Sequence, residues 1–216
     1  MLHTLFLIGN IASGKSTAAR YLESRGAWHL DLDAMAKELY VPGSELVADI
    51  AEVFGWDVLS GDGTIKTRVL AERAFETPEQ TERLNALVHP ALLAQLSHML
   101  LPANCCSTMV PEHPLAVVEV SAPVGFQDAF GLADDVIAIT ASYDIRRRRA
   151  LERGMSLEDF ERRASVQPSE SELCALAHSV IDNTHADDTL FDALDAWISS
   201  RGLDESLSRC KVMADA

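Results

Sequence analysis

Apolar positions fall in short unbroken runs near the two ends of the chain and at helical spacing through its middle. His3 to Ile8 is a run of strand length, rich in Leu, Phe and Ile, and reads as a strand buried on both faces. Ser16 to Ser24 reads as a helix that ends at Gly26, and Ala27 to Leu32 as a second short strand. From Ala34 to Leu101 the texture is helical, punctuated by Pro42-Gly43, Gly61-Asp62-Gly63 and Pro78. Val47, Ile50, Ala51 and Phe54 recur at helical spacing, as do Leu84, Leu87 and Val88. Asn104 to Pro114 reads as a loop, and Leu115 to Val120 and Asp135 to Thr140 as two further strands. An arginine-rich helix is expected over Asp144 to Arg153. Another is expected over Ser156 to Ser165, opened by a near capping box of Ser156 and Asp159. Ser179 to Ile181 is the last candidate strand and Thr189 to Ile198 the closing helix. The polar stretch after Arg201 is expected to fray.

Short apolar strands alternating with helices predict an α/β fold with a parallel sheet covered on both faces. The helical stretch between the second and third strands is too long for one crossover and predicts an inserted helical unit. Ligands in such folds bind at the carboxyl ends of the strands, where Gly9, Asp33 and Glu119 would lie.

Gly9-Asn10-Ile11-Ala12-Ser13-Gly14-Lys15-Ser16 fits the pattern G-x-x-x-x-G-K-S residue for residue, after an apolar strand and before a helix. Successive N–H groups of such a loop point into it, and the following helix N-terminus favours phosphate charge. Gly9 to Thr17 is therefore the expected nucleotide contact, with Lys15 on the β- and γ-phosphates of ATP and the Ser16 hydroxyl on Mg²⁺. Ala12 suits a loop position that keeps φ below zero.

Composition narrows the partners. The 216 residues carry 33 acidic and 18 basic side chains, a formal net charge of -15, and 48% are hydrophobic. Such a surface repels a nucleic-acid backbone. The N-terminal apolar run is too short to span a membrane, and no basic leader precedes it. Cys105, Cys106, Cys174 and Cys210 form no metal-type spacing, so a reduced cytoplasmic protein is expected.

Strand alternation places Asp31 and Asp33 on one side, with Leu32 on the other. Asp33 reads either as a base for an acceptor hydroxyl or as an N-cap ahead of Ala34-Met35-Ala36. Arg146 to Arg149 and Arg153 stand out in an acidic chain. Arg149 and Arg153, with Arg146 nearby, share a helical face that would clamp phosphate oxygens. The alternative is a solvated face paired to acids, the reading given to Arg147. His3, His29, His98, His113, His178 and His185 show no ligand spacing and read as structural or exposed.

The ordered set of motifs resembles the dephospho-CoA kinase family. The phosphate loop is followed by Asp31-Leu32-Asp33, Pro42-Gly43, Phe54-Gly55, Asp62-Gly63 with Arg68 and Phe75, and Leu84-Asn85-Ala86-Leu87-Val88-His89-Pro90. Arg149, Arg153, Gln167 and Ile181-Asp182-Asn183 complete the series. The resemblance implies a P-loop fold with a five-stranded parallel sheet, a helical substrate-binding insertion and a lid. It implies transfer of the γ-phosphoryl group of ATP to the ribose 3′-hydroxyl of dephospho-CoA, with Asp33 as base and Lys15 and Ser16 holding ATP and Mg²⁺. Arg149 and Arg153 would contact phosphate, and Asn183 would lie near the adenine. Arg68, His89 and Glu119 would stand on the substrate side. The chain then divides into a nucleotide-binding core of residues 1–33, 113–143 and 176–200, a helical region 34–112, a lid 144–175 and a tail 201–216; a monomer is expected, with an oligomer as the alternative. Ala12 replaces a usual glycine, Arg146 a frequent glutamine, and Glu119 to Gly125 a usual Pro-Leu-Leu run. A related kinase with another acceptor, or a nucleotide-binding regulatory protein without turnover, are the alternatives.

Overall fold

The computed structural model describes residues 2–101, 113–185 and 188–214. Five parallel strands, β1 (His3–Ile8), β2 (Trp28–Asp31), β3 (Leu115–Val120), β4 (Asp135–Thr140) and β5 (Ser179–Asp182), lie in the order β2-β3-β1-β4-β5. The central strand β1 has Leu5, Phe6, Leu7 and Ile8 fully buried, as its unbroken apolar run requires. The chain first builds outward on the β3 side and then on the β4 side. The loop leaving β1 therefore sits at the switch point of the sheet, where the carboxyl ends of the strands open a crevice.

Alternation divides the core in two. Leu5, Leu7, Val117, Ile137 and Ile139 pack on one face against α1 (Lys15–Ser24) and α9 (Thr189–Ser200). Phe6, Ile8, Val118 and Ala138 pack on the other face with Met35 of α2 (Leu32–Glu38), Leu92 and Leu96 of α5 (Pro78–Leu100) and Leu173 of α8 (Glu170–Leu176). A third cluster joins α3 (Glu45–Phe54), α4 (Thr67–Ala74) and α5 through Ile50, Ala51, Phe54, Leu70 and Val88. The helical stretch between β2 and β3 thus has its own apolar centre. Pro78 opens α5 at its first turn, where a missing N–H costs nothing, rather than breaking it.

Helices α6 (Tyr143–Glu152) and α7 (Leu157–Ser165) agree closely with expectation. Ser156 caps α7 by accepting from Asp159 N, but the Asp159 side chain turns to Arg162 and Arg163, so the expected box is half made. The complete capping box is Ser169 with Glu172, at the start of α8, a helix absent from the sequence expectation. The stretch after Arg201 is also corrected. It forms α10 (Asp204–Ala214), with Leu203 and Leu207 buried against the α1 and α9 face. Most of the expected loop before β3, with Cys105 and Cys106, lies outside the described residues. Among the described residues no helix is long and apolar enough to cross a membrane.

The end of the sheet away from the crevice is fastened by Asp135, a carboxylate whose side chain is only 6% exposed. Arg201 grips it with two hydrogen bonds of 2.6 Å, and His3 Nε2 lies 2.9 Å from Oδ2. The Arg201 guanidinium holds the Asp135 carboxyl below the usual carboxylate range, against burial, and His3 acts with it. A depressed carboxylate stabilises the fold above its unfolded pKa, and that contribution disappears as pH falls through the folded value. Arg201→Ala is expected to destabilise the fold by a modest amount. That is less than breaking a fully buried pair, because Arg201 is 43% exposed and His3 remains. Urea denaturation between pH 7 and pH 3 checks this: the gap between wild type and variant should narrow on acidification.

Candidate active site

The loop between β1 and α1 is held open. Gly14 serves as the N-cap of α1 at φ 115°, and a Cβ there would run into the Asn183 amide. A Cβ at Gly9 would collide with the carbonyl of Ile139 on β4. The amides of Lys15 and Ser16, in the first turn, have no acceptor within their helix. The Ser13 hydroxyl is buried without a protein partner. An anion seated on this loop would satisfy these donors, so the local chemistry fits the phosphate-binding expectation.

Later parts of the chain fix the loop through its outward-facing groups. Asn183 Nδ2 donates to the Ser13 carbonyl at 2.7 Å, and Arg149 Nη1 reaches the same oxygen at 3.4 Å. Ile11 N donates to Gln167 Oε1 at 2.8 Å, and Asn10 Nδ2 to the Pro168 carbonyl at 3.0 Å. Arg153 faces Ile11 and Ala12 across a gap of about 290 Å³. Arg146 instead donates to the Ala141 carbonyl and lies over the Tyr143 ring, and Arg147 is exposed. The expected arginine face is thus split: Arg149 and Arg153 bear on the loop, whereas Arg146 packs at the base of its own helix.

Lys15 is 7% exposed. Burial lowers its pKa, while Glu119, Asp33 and Asp31 act in the opposite direction. Glu119, expected on the substrate side, lies on the loop side. It accepts a 2.6 Å hydrogen bond from the Ser16 hydroxyl and stands 3.4 Å from His29 Nε2. Burial alone would raise the Glu119 pKa, but His29, Ser16 and Lys15 outweigh it and hold the group below the ordinary range. His29, read from sequence as structural or exposed, is therefore a neighbour of the site. No ligand spacing marks it; its signal is the His29-x-Asp31 alternation, which acquires meaning once β2 pairs with β3.

Asp31 and Asp33 do not share a strand face. The strand ends at Asp31, and α2 begins at the next residue. Asp31 is the N-cap, accepting from Asp33 N at 2.9 Å and Ala34 N at 3.2 Å. The capping role proposed for Asp33 therefore belongs to Asp31, and Asp33 stands in the first turn without a capping duty. It opens onto a cleft of about 930 Å³ that also exposes Arg68, His89, Ser121, Arg162 and Arg163. The protein mass around Asp33 raises its pKa, a hydrogen bond from Ser121 pulls it down, Asp31 raises it, and Lys15 and Lys37 lower it; the net displacement is upward. His89 Nδ1 is 2.9 Å from the Gly125 carbonyl, and burial lowers its pKa. Arg68 is almost fully exposed and paired with Glu72 at 3.0 Å. Ser121, Arg162 and Arg163 were not anticipated as cleft residues. The two arginines share Asp159, at 2.5 and 3.2 Å.

A phosphate loop at the switch point of a five-stranded parallel sheet, beside a cleft walled by an inserted helical stretch, defines a P-loop kinase. Residues 4–188 match the family model described as dephospho-CoA kinase. The chain belongs to the dephospho-CoA kinase family. A dephospho-CoA kinase of Corynebacterium diphtheriae is 36% identical over 187 residues, which span 85% of this chain and 90% of that protein. One from Anaeromyxobacter dehalogenans is 32% identical over 201 residues, 92% of each chain. A crystal structure from Thermus thermophilus superposes with a TM-score of 0.70 at 29% identity, covering 92% of this chain and 97% of its own.

Ala12 departs from expectation: its φ is +59°, the one positive value at a non-glycine among the described residues. A side chain in the left-handed region costs about 1–2 kcal/mol. Glycine removes that strain but gives about 0.4–1 kcal/mol back to the unfolded chain. Ala12→Gly is therefore expected to raise stability by about 0.5–1 kcal/mol. Thermal melts of the two proteins check the sign; a lower melting temperature for the glycine variant would show that the loop is not strained here.

Proposed function

We propose that this chain transfers the γ-phosphoryl group of ATP to the ribose 3′-hydroxyl of dephospho-CoA, giving coenzyme A and ADP. The observation that carries the reading is the position of Asp33. It lies in the wall of the acceptor cleft and close enough to Lys15 for each to act on the other's ionisation. A hydroxyl bound in the cleft would thus have a carboxylate on one side and the phosphate loop on the other.

Each residue has a task in this reading. The first-turn amides of α1 and Lys15 hold the β- and γ-phosphates, and Lys15 gains most as charge builds on the transferring group. Arg149 and Arg153 bear on the same phosphates from the lid side, and Asn183 braces the loop beneath them. Ser16 and Glu119 form an oxygen donor set suited to Mg²⁺, which when bound would spread the phosphoryl charge. Asp33 orients the 3′-hydroxyl and takes its proton as the oxygen–phosphorus bond forms. Lys37, Arg68, Arg162 and Arg163 supply positive charge along the cleft, in a chain of net charge -15, for a diphosphate-bearing acceptor. Leu70, Phe75, Leu84 and Leu92 supply apolar wall for its pantetheine arm. Residues 34–112 then serve the acceptor, residues 144–175 form the lid, and the sheet holds the nucleotide.

Incubation with ATP–Mg²⁺ and dephospho-CoA, followed by mass analysis, is expected to show an acceptor heavier by one phosphoryl group and an equal amount of ADP. Transfer to another hydroxyl compound with dephospho-CoA ignored would move the acceptor assignment; nucleotide binding without transfer to any acceptor would favour a regulatory protein.

Asp33→Asn tests the base. Asp31 carries the cap, so the fold should survive and the melting temperature should hold, while turnover falls on the order of 10² or more. The raised Asp33 pKa has a further consequence. The base form is lost on acidification at a higher pH than for an ordinary aspartate, so wild-type kcat/KM should decline there and the residual rate of the variant should lack that limb. A pH–rate profile of both proteins reads it, and an unchanged limb in the variant would assign the acid dependence elsewhere.

A further inference from the structure

Alternation along β2 puts His29 on the same face of the sheet as Asp31, and the register pairs Asp31 with Glu119 and His29 with Val117. His29 therefore sits one pleat below Glu119, on the face that α1 covers. Its side chain is 16% exposed, with Nε2 at 3.4 Å from Glu119 Oε2 and Nδ1 at 3.9 Å from Glu23 Oε2. The Nε2 atom is buried and makes no hydrogen bond; it stands against Glu119 Oε2 as a 3.4 Å contact of a nitrogen with a carboxylate oxygen. The other Glu119 oxygen, Oε1, accepts the Ser16 hydroxyl at 2.6 Å. The carboxylate is thus divided, one oxygen toward the phosphate loop and one toward the imidazole.

We propose that His29 is a positioning residue for the Mg²⁺ of the bound nucleotide: by engaging Oε2 it sets the rotamer of Glu119, so that Oε1 is presented to Ser16 and the cation. The proposal rests on the reading of Ser16 and Glu119 as the metal-side residues. With the imidazole against Oε2, the carboxylate has less room to turn onto Lys15, which also acts on it and which the phosphates need. Groups that orient metal ligands in this way typically carry about 10–100-fold of metal affinity.

Calorimetric titration with ADP at a series of MgCl₂ concentrations, with EDTA as the zero point, reads the magnesium-dependent part of nucleotide affinity apart from turnover. His29→Leu keeps apolar bulk and removes the nitrogens. It is expected to weaken the magnesium-dependent affinity about 10-fold, with ADP affinity in EDTA and the melting temperature close to wild type. His29→Gln, which restores a side-chain donor, is expected to recover most of the loss. Equal magnesium dependence in wild type and His29→Leu overturns the proposal. An equal loss in both variants also overturns it, and makes His29 a packing residue. A wild-type protein whose ADP affinity ignores magnesium overturns the metal-side reading of Ser16 and Glu119 itself, and is distinguishable because it needs no variant.

Discussion

A loop that offers phosphate its backbone amides has few of them left to hold itself together; here one, Ser13 N, closes on the Asn10 carbonyl at 3.1 Å. Its inward donors are committed to a ligand, so its shape must be imposed from outside, through its carbonyls and edges. The Ser13 carbonyl is the focus of that support, taking Asn183 from the segment after β5 and Arg149 from α6. Gln167 and Pro168, just beyond α7, hold the opposite edge through Ile11 and Asn10. Glycine at positions 9 and 14 lets the neighbouring backbone and the Asn183 amide approach closely enough to do this. Sheet order, bracing by α6 and by the residues after α7, and glycine placement all serve one requirement, a set of loop donors held in shape from outside.

The same geometry separates two kinds of acid. Glu119 and Asp33 both stand near Lys15, but on different walls. Sheet alternation turns Glu119 toward Ser16 and His29, where its charge is well supported. Asp33 projects from the first turn of a helix into a cleft, where the surrounding protein disfavours its charge. Environment alone gives one carboxylate the character of a fixed anion and the other that of a group able to accept a proton.

The sequence made the strands legible because each is a compact apolar run with nothing else to be, and all five lie within a residue of their expected ends. Lys15 and Ser16 lie in the first turn after the phosphate loop, and Arg149 and Asn183 both reach its Ser13 carbonyl. What failed to show was anything that depended on where one element stops against another. Asp31 is a cap only because α2 starts directly at the strand end, a junction that alternation cannot see. Leu203 and Leu207 look like two isolated leucines in a polar stretch, and their burial depends on α9 offering a surface four residues earlier. His29 carries no motif at all; pairing of an edge strand brings it to Glu119.

Asp135 ties the beginning of the chain to its end. The strand that launches the phosphate loop is made before its flanking strands, which follow more than a hundred residues later, and Arg201, which locks its far end through Asp135 and His3, comes later still. Asn183 and Arg149, which shape the loop, also arrive in that second half. The phosphate motif therefore waits, without the contacts that shape it, while the intervening residues are made. The loop can be braced as observed only once the segment after β5 exists, so a product cut short before Asn183 lacks part of the frame that holds the loop.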